Sequence, residues 1–513
     1  MLQIQHVSLV HRKDLRTIVD DVSFSLQPGD KAVVIGEEGD GKSTLLKWIY
    51  DPALVHSYAQ ASGKRILHGN ILGYLPQELT KAEKEMTIYE YYCHSPVFFD
   101  RTPKEMAHIA GKLSLPADFC YGDQPICLLS GGEKVKMQLA RILMEKPDIL
   151  LLDEPSNDMD IDALQWLEQF INQASMPILF VSHDERLIEN TANVVIHLER
   201  LMRGCTVRHT IARLPYQDYI TQRLANLNKQ TQLAQNEERE HQKQMEKLYR
   251  IQQQVEYQLK TITRQNASGG RLLKKKMKAV KSMEHRFDRQ QENRTELPHT
   301  EQAIMVSFDD AIRLPAGKRV LDYSTEALTV AGRTLAPSLS LRVMGGEKVC
   351  IIGRNGCGKS TLMKLLAQEL LPRPDLKVCY MPQNYEEQLD LSQSPLEWLS
   401  KTGDKEETTQ IRTYLGSMRY TPDEMLHPME ELSGGQKAKI LFLSMILSGA
   451  NVLLLDEPTR NFSPLSNPII RQVLKNFGGS IISVSHDRNY IREVADTVYE
   501  LSEQGLQQVR TSL

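Results

Sequence analysis

Two short glycine-rich segments of the chain have the composition of phosphate-binding loops. The first reads GEEGDGKST (36–44) and the second GRNGCGKST (353–361), and each follows an aliphatic run. Glycines let backbone N–H groups surround phosphate oxygens, and the lysine that follows them reaches the outer phosphates. We therefore predict two ATP-binding loops. Their candidate ATP-binding residues are Gly36, Gly39, Gly41, Lys42, Ser43 and Thr44 in the first, and Gly353, Asn355, Gly356, Gly358, Lys359, Ser360 and Thr361 in the second.

Each loop is followed, later in the chain, by an acidic pair at the end of another aliphatic run. The pairs are Asp153-Glu154 and Asp456-Glu457. A loop serine and a carboxylate at a strand end can hold Mg²⁺ from two sides, and a glutamine between the two motifs can sense both the metal and the attacking water. The candidate metal ligands are Ser43, Gln77, Asp153, Ser360, Gln383 and Asp456.

The second acid of each pair is the candidate catalytic residue. Glu154 and Glu457 can polarise the attacking water, while catalysis of phosphoryl transfer rests mainly on positioning and charge neutralisation. A histidine follows each glutamate by 29 residues, namely His183 and His486, and could contact the γ-phosphate or the water. A lone histidine after a strand is more often structural, but the repeated spacing favours the functional interpretation.

A Leu-Ser-Gly-Gly segment, here called the signature segment, precedes each acidic pair. Because these segments begin predicted helices, their amides and the helix dipole form an anion site. The first supplies Ser130, Gly131 and Gly132, and the second supplies Ser433, Gly434 and Gly435. If the two copies face each other head to tail, Ser130 caps ATP held by Lys359 and Ser433 caps ATP held by Lys42.

The order and spacing of these motifs indicate an internal duplication. Ser130 precedes Asp153 by 23 residues, and Ser433 precedes Asp456 by the same number. Aliphatic runs alternate with helical patterns, which is typical of a mostly parallel sheet with crossover helices. The predicted strands are 31–35, 149–152, 177–181, 348–352, 452–455 and 480–484, with a helix at 132–144. The fold class is therefore α/β, with two P-loop domains.

A helical segment separates the two copies. Apolar residues recur at spacings of three and four, first at Leu248, Ile251, Val255, Leu259 and Ile262, and then at Leu273, Met277, Val280, Met283 and Phe287. Such stripes predict an antiparallel helix pair with its loop at 266–270 and a return helix of about 20 residues, on the order of 30 Å long. The expected domains are 1–219, 220–300 and 301–513.

The helical segment is basic although the whole chain has a formal charge of −3. Residues 220–294 contain 17 Lys and Arg against 8 Asp and Glu, and no acid lies between Lys260 and Lys281. Positive charge at the loop end suits a phosphate backbone, whereas the alternative is a solvated linker. The candidate RNA-binding residues are Lys260, Arg264, Arg271, Lys274, Lys275, Lys276, Lys278 and Lys281.

This set of motifs resembles the ATP-binding cassette superfamily. Two cassettes joined by a charged helical hairpin, without a membrane segment, are similar to the ABC-F family of translation factors and ribosome-protection proteins. The resemblance implies an ATPase that binds the tRNA exit site of the ribosome, contacts rRNA and directs its hairpin toward the P-site tRNA. ATP would gate binding and hydrolysis would release the protein, either to modulate translation or to protect the ribosome from antibiotics.

The chain departs from the family pattern in two ways, which concern the subtype of the protein within the family and the equivalence of its two ATP sites. Only 53 residues separate Gln77 from Ser130, which leaves no room for the arm insertion of some housekeeping members. With 27 residues after His486, we also expect the C-terminal extension of others to be missing. The family's D-loop aspartate is present as Asp160 but is replaced by Ser463. We therefore expect the two ATP sites to turn over at different rates.

Hydropathy, the N-terminal sequence and the cysteine pattern indicate the cellular location of the protein. No apolar run approaches the roughly 20 residues of a membrane span, no secretory signal is evident, and the seven cysteines form no Cys-x-x-Cys. We expect a cytoplasmic monomer with reduced thiols. Two alternatives stay open: the ATPase subunit of a membrane transporter with a separate membrane partner, and a DNA-repair ATPase.

Overall fold

The computed structural model contains two similar α/β halves with a helical segment between them in the chain. It describes residues 1–13, 15–200, 207–261, 267–292, 307–309, 311–330, 333–418 and 420–509. Met1–Tyr216 and Glu301–Leu513, here called cassette 1 and cassette 2, make one compact unit, and Gln217–Thr300 makes another. The sequence-based boundaries at 219/220 and 300/301 stay a prediction.

Cassette 1 alternates strands and helices along most of its length. Its strands are β1 (Leu2–His11), β2 (Thr17–Leu26), β3 (Lys31–Ile35), β4 (Ala59–Ile66), β5 (Leu72–Leu75), β6 (Ile149–Asp153), β7 (Ile178–Val181), β8 (Val194–Arg200) and β9 (Val207–Ala212). Its helices are α1 (Lys42–Tyr50), α2 (Lys81–Glu85), α3 (Ile88–Cys93), α4 (Pro96–Phe99), α5 (Pro103–Lys112), α6 (Gly131–Met144), α7 (Ile161–Gln173) and α8 (Glu185–Thr191).

The main sheet of cassette 1 has the strand order β5-β6-β7-β3-β8-β9. All its pairings are parallel except the one between β8 and β9. Strands β3, β6 and β7 are buried throughout, which explains why they are continuous aliphatic runs rather than alternating patterns. A second, antiparallel sheet has the order β2-β1-β4 and packs its apolar face into the same core.

The helical segment consists of two long helices, α9 (Tyr216–Thr261) and α10 (Ala267–Glu292). Of the predicted apolar stripes, Leu248, Val255, Leu273 and Val280 are buried. Ile251 and Met283 are exposed instead, so each buried stripe contains fewer residues than predicted. Ile262 lies outside the described residues.

The break predicted at 266–270 was wrong in part. Helix α10 already begins at Ala267, so Gly269 and Gly270 belong to its first turn instead of a loop. Helix α10 has 26 residues, longer than predicted, and the 46 residues of α9 span about 70 Å at the rise of an α-helix. Glycine lowers helix propensity but does not forbid the first turn, where four N–H groups lack helical partners anyway.

Within the described residues, cassette 2 repeats the main sheet of cassette 1, with an antiparallel sheet of two strands instead of three. Its strands are β10 (Arg319–Val330), β11 (Arg333–Met344), β12 (Lys348–Ile352), β13 (Val378–Met381), β14 (Val452–Asp456), β15 (Ser480–Val484), β16 (Thr497–Ser502) and β17 (Gly505–Val509). Its helices are α11 (Lys359–Leu370), α12 (Pro395–Leu399), α13 (Lys405–Ser417), α14 (Gly434–Ser448), α15 (Asn467–Asn476) and α16 (Arg488–Val494).

The main sheet of cassette 2 has the order β13-β14-β15-β12-β16-β17, which matches the main sheet of cassette 1 strand for strand. In both cassettes the loop that follows the central strand, β3 or β12, lies beside the carboxyl end of β6 or β14. The strands predicted from the sequence are confirmed to within a residue or two. Parallel strands place their carboxyl ends at one edge, and this edge is where α/β sheets bind ligands.

Within the part of the chain that the structure describes, no helix combines the length and the apolar character needed to cross a membrane.

Candidate nucleotide sites

The two phosphate-binding loops have the same backbone path. Lys42 Nζ donates to the carbonyl oxygens of Gly36 and Glu37, both at 2.9 Å. Lys359 Nζ makes the equivalent bonds in cassette 2, at 2.8 and 2.9 Å. Both lysines are buried, so each amino group is held at the centre of its loop.

The last glycine of each loop is required by geometry. Gly41 and Gly358 adopt the left-handed conformation, with φ of 89° and 102°, at the N-caps of α1 and α11. A Cβ on Gly41 would lie 2.2 Å from Ile18 Cγ2. A side chain is thus excluded both by conformation and by space.

The candidate metal ligands meet in pairs at the strand ends. Ser43 Oγ donates to Asp153 Oδ1 at 2.7 Å, and Ser360 also hydrogen-bonds the carboxylate of Asp456. Burial raises the pKa of both aspartates. Oδ1 of Asp456 is buried without a hydrogen-bond partner. A hydroxyl, a carboxylate and an orphaned oxygen fit Mg²⁺, which takes few protein ligands and completes its shell with phosphate and water.

Each candidate catalytic glutamate stands in a strained backbone conformation beside its histidine. Glu154 and Glu457 have φ of 51° and 54°, values that non-glycine residues seldom adopt. His183 Nε2 lies 3.0 Å from Glu154 Oε1, whereas His486 Nε2 lies 3.7 Å from Glu457 Oε1. The strain is stored at a place where function commonly needs it.

The electrostatics of the two glutamates differ. Burial opposes the ionisation of Glu154, but His183 and Lys42 outweigh it and hold the pKa of Glu154 below its ordinary value. Burial and the neighbouring Asp456 instead raise the pKa of Glu457 to about 8. Burial, with Lys359 adding to it, lowers the pKa of His486 to about 3. A proton acceptor works best when its pKa is near the working pH.

The signature segments cap their helices as predicted. Ser130 accepts from the N–H of Glu133 and donates to its carboxylate, and Ser433 and Gln436 form the equivalent box at the start of α14. The caps leave the other first-turn amides of α6 and α14 to bind an anion, and in α14 the N–H of Gly435 already bonds the carboxylate of Glu38.

A cavity of about 840 Å³ lies between the loop of cassette 2 and the signature segment of cassette 1. We call this the second site. It brings together residues that the sequence separates by more than 200 positions, and His183 also borders it. The predicted site residues lining it are Ser130, Gly131, Asn355, Gly356, Gly358, Lys359, Ser360, Thr361, Gln383, Asp456, Glu457 and His486. This is the head-to-tail arrangement expected from the motifs.

The loop of cassette 2 is held against the D-loop of cassette 1. Asn355 donates from Nδ2 to the carbonyl of Asp158 at 2.5 Å and from its N–H to Asp160 Oδ2 at 3.5 Å. Arg460 Nη2 lies 2.6 Å from Asp158 Oδ1. These contacts frame the cavity without filling it.

The opposite pairing, between the loop of cassette 1 and the signature segment of cassette 2, is called the first site. Here Glu38 of the loop accepts from the N–H of Gly435 through Oε2 at 2.5 Å. Glu37 lies 3.0 Å from Lys439 Nζ. The first site is thus joined by direct side-chain contacts across the interface.

The D-loop of cassette 2 completes the first site. Ser463 and Ser466 each donate a hydroxyl hydrogen bond to Glu37 Oε1 at 2.9 Å. His183 Nδ1 contacts the carbonyl of Phe462 at 3.0 Å, which again crosses the interface. Gln77 is exposed, and Tyr74 donates to Asp153 at 3.2 Å.

Two buried ion pairs fasten the cassettes beside the sites. Arg471 of cassette 2 meets Glu185 of cassette 1 at 2.8 Å, and Arg488 of cassette 2 meets Glu168 of cassette 1. All four side chains are at least 87% buried. Arg471 also bonds Glu493 at 2.9 Å, so its charge is surrounded by acids.

The candidate RNA-binding residues lie on the helical unit. Arg264 lies outside the described residues. The other seven are all exposed, whereas Met277 on α10 is half-buried. The seven are Lys260, Arg271, Lys274, Lys275, Lys276, Lys278 and Lys281. Their cationic ends are therefore available to a polyanion.

Sequence reasoning missed the acids of the first loop and the serine pair that meets them. The signal was present as a substitution: the first loop has Glu37, Glu38 and Asp40 where the second has Arg354, Asn355 and Cys357. Ser463 was noticed only as a departure from the family. The folded chain places Ser463 against Glu37, to which its hydroxyl donates a hydrogen bond.

The profile of the ABC transporter family matches residues 19–157 and 337–460, just over half of the chain. The chain therefore belongs to the ATP-binding cassette family, and it is an ATPase with two cassettes.

Relatives similar over nearly the whole chain confirm the resemblance to the ABC-F family. The ribosome protection protein VmlR of Bacillus subtilis is 29% identical over 512 residues, with 96% of this chain and 85% of that protein covered. ATP-binding cassette sub-family F member 3 of Homo sapiens is 27% identical over 523 residues, covering 93% and 68%.

A solved structure shares the fold. It is the archaeal ribosome recycling factor aABCE1 in complex with the ribosomal stalk protein aP1, with a TM-score of 0.59, 16% identity, and coverage of 98% of this chain and 90% of that chain. At this identity the likeness concerns the twin-cassette architecture alone.

Proposed function

We propose that the protein is an ATP-gated, ribosome-binding ATPase of the ABC-F type. The head-to-tail pairing of loop and signature around the second site carries this proposal, because a nucleotide bound there touches both cassettes. The exposed basic helical unit supplies a surface for RNA, and VmlR is named as a ribosome protection protein. The proposed binding place is the exit-tRNA site, with the basic helices near the P-site tRNA.

Within each site we assign roles residue by residue. The loop amides and Lys42 or Lys359 hold the phosphates, and Ser43 with Asp153, or Ser360 with Asp456, would hold Mg²⁺. Bound Mg²⁺ would neutralise charge on the phosphates. Gln77 and Gln383 would orient water at the bound metal. Where ATP is bound, Glu154 or Glu457 orients the attacking water, and His183 or His486 stands beside it to contact the water or the γ-phosphate.

ATP then couples the cassettes, because Lys359 on one side and Ser130 on the other face the same cavity. A closed state that binds the ribosome better than the open state is stabilised by the nucleotide, since a ligand shifts an equilibrium by its differential affinity. Hydrolysis removes that contact and releases the protein. The buried pairs between the cassettes favour an intramolecular sandwich, and hence a monomer, which we propose acts in the cytoplasm.

Sedimentation tests the central claim. The Glu154→Gln, Glu457→Gln double variant, loaded with ATP and Mg²⁺, should be retained in the ribosomal fraction of a cell extract. The same variant with ADP is the matched control and should stay in the supernatant. Retention in membranes would instead support a transporter subunit, and retention on branched DNA alone would support a repair ATPase.

The helical unit is tested separately. Replacing Lys274, Lys275, Lys276 and Lys278 by Glu should leave basal ATPase intact and weaken ribosome binding, more so at higher salt, because each phosphate contact adds to the salt dependence. The control variant replaces four exposed lysines of the cassettes, namely Lys81, Lys104, Lys112 and Lys405. Equal binding by the two variants would remove the helical unit from the mechanism.

The biological role divides into translation control and antibiotic protection. We propose protection, because a relative named as a ribosome protection protein matches over nearly the full length. Deletion of the gene should lower the growth-inhibiting concentration of drugs that act at the peptidyl-transferase centre. Unchanged drug sensitivity together with slower elongation would indicate routine translation control.

A further inference from the structure

The two nucleotide sites have the same candidate phosphate-binding and metal-binding residues, but the other residues of their loops have opposite charge. The second loop presents Arg354, Asn355 and Cys357, whereas the first presents three carboxylates at the same positions, Glu37, Glu38 and Asp40. Lys42, Ser43 and Asp153 retain the geometry of their counterparts. The first site has therefore kept the means to bind phosphate and changed what surrounds it.

Glu38 occupies the side of the loop that faces the partner signature segment. Its Oε2 accepts the N–H of Gly435, in the first turn of α14, at 2.5 Å. This helix start is the anion site that a terminal phosphate would meet in a head-to-tail sandwich. In the first site a carboxylate of the chain already bonds an amide there.

Glu37 anchors the same contact more deeply. It pairs with Lys439 at 3.0 Å and accepts from Ser463 and Ser466, and these three partners are at least 91% buried. An aspartate in place of Ser463 would put two carboxylates side by side, so the D-loop substitution is matched to the acidic loop. Asp40 Oδ2 accepts the N–H of Glu37 at 2.9 Å, which fixes the loop further.

We propose that Glu37 and Glu38 make the first site selective for a nucleoside diphosphate, while the second site takes the triphosphate. A third phosphate in the first site would have to displace Glu38 from α14 and remain next to two carboxylates. A diphosphate ends short of that position and keeps Lys42 and Ser43. The first site thus stays closed by protein contacts, and ATP-dependent closure belongs to the second. This inference rests on the proposed ATPase mechanism but not on the ribosome.

Single-site proteins test the proposal. Lys359→Ala leaves the first site and Lys42→Ala leaves the second, and each is titrated with fluorescent ATP and ADP analogues in the presence of Mg²⁺. The first site should prefer the diphosphate by at least about tenfold, as expected when like charges are brought together, and the second should prefer the triphosphate. Equal preferences at the two sites would overturn the proposal.

Reciprocal substitutions supply the matched control. In the Lys359→Ala protein, Glu38→Asn should remove most of the discrimination against the triphosphate. In the Lys42→Ala protein, Asn355→Glu should introduce it. Thermal unfolding of each variant checks that the chain is folded. A Glu38→Asn variant that is folded and still prefers the diphosphate tenfold would contradict the role of this carboxylate. Ribosome sedimentation is measured separately, so failure of the ribosomal proposal is distinguishable.

Discussion

The first and second sites have candidate catalytic residues of the same types, and they differ in what lies between the cassettes. At the second site a cavity of about 840 Å³ separates Lys359 from Ser130. At the first, Glu37 and Glu38 span the equivalent gap and bond Lys439 and Gly435 directly. A motif match thus identifies the chemistry of a site, whereas the charges beside the motif control which ligand the site accepts.

The two glutamates should show the greatest contrast. Glu457→Gln should lower ATPase activity at least about a hundredfold, the usual range for removal of a group that handles the proton of the attacking water. Glu154→Gln should leave most of the rate, because the first site is closed by carboxylates. Steady-state phosphate release measures both. Equal losses in the two variants would contradict the functional difference between the sites.

The buried ion pairs come next. Arg488→Leu leaves Glu168 uncompensated and should lower the free energy of unfolding by about 3 kcal/mol, the typical cost of breaking a buried pair. Arg471→Leu should cost more, because Arg471 lies within 3.9 Å of three acids, Glu185, Asp487 and Glu493. Arg488 lies near two, Glu168 and Asp184. Denaturant unfolding measures the two. The Glu168→Leu, Arg488→Leu double variant is the control and should regain part of the loss.

A more modest change is expected at equivalent glycines of the two signature segments. A Cβ on Gly131 would lie 1.9 Å from the carbonyl of Asp158, whereas one on Gly434 meets nothing closer than 3.9 Å. Gly131→Ala should therefore push the D-loop away from the second site and reduce ATPase activity about tenfold, equivalent to about 1.4 kcal/mol in the barrier. Gly434→Ala is the matched control, and a similar loss there would weaken the comparison.

The D-loops should respond least. Ser463→Asp replaces a donor to Glu37 by a second carboxylate and should destabilise the chain by about 1 kcal/mol, near the lower end of the cost of an unsatisfied buried group. Asp160→Ser should change stability less, because serine also caps the helix start where Asp160 accepts from Ala163. Thermal unfolding of the two variants compares them directly, and a neutral Ser463→Asp would show that Glu37 tolerates an acid beside it.

The ion pairs also explain why cassette 1 pairs with cassette 2 and not with a second copy of itself. Glu168 and Arg471 are equivalent positions, as are Glu185 and Arg488, since each pair is separated by 303 residues. Two copies of cassette 1 would place Glu168 beside Glu185, and two copies of cassette 2 would place Arg471 beside Arg488. Like charges in a buried interface are costly, so the pairing of unlike cassettes is selected.

The duplication, the parallel strands and the two phosphate-binding loops could all be predicted from the amino-acid sequence. Those features depend on local patterns: aliphatic runs of strand length, glycines at fixed spacing, and a serine that caps a helix. The same locality explains why Asp153 and Asp456 could be placed at strand ends. It also explains the error at Gly269, where local glycine content suggested a loop and the first turn of helix α10 forms instead.

The difference between the two sites became visible only once the chain was folded. Glu38 and Gly435 are separated by 397 residues, and Glu37 meets Ser463 across 426. A carboxylate in a loop has many possible partners, and no local pattern reveals which helix start it will face. Packing of the two cassettes chooses that partner, because the interface is fixed by buried charges distributed over both halves of the chain.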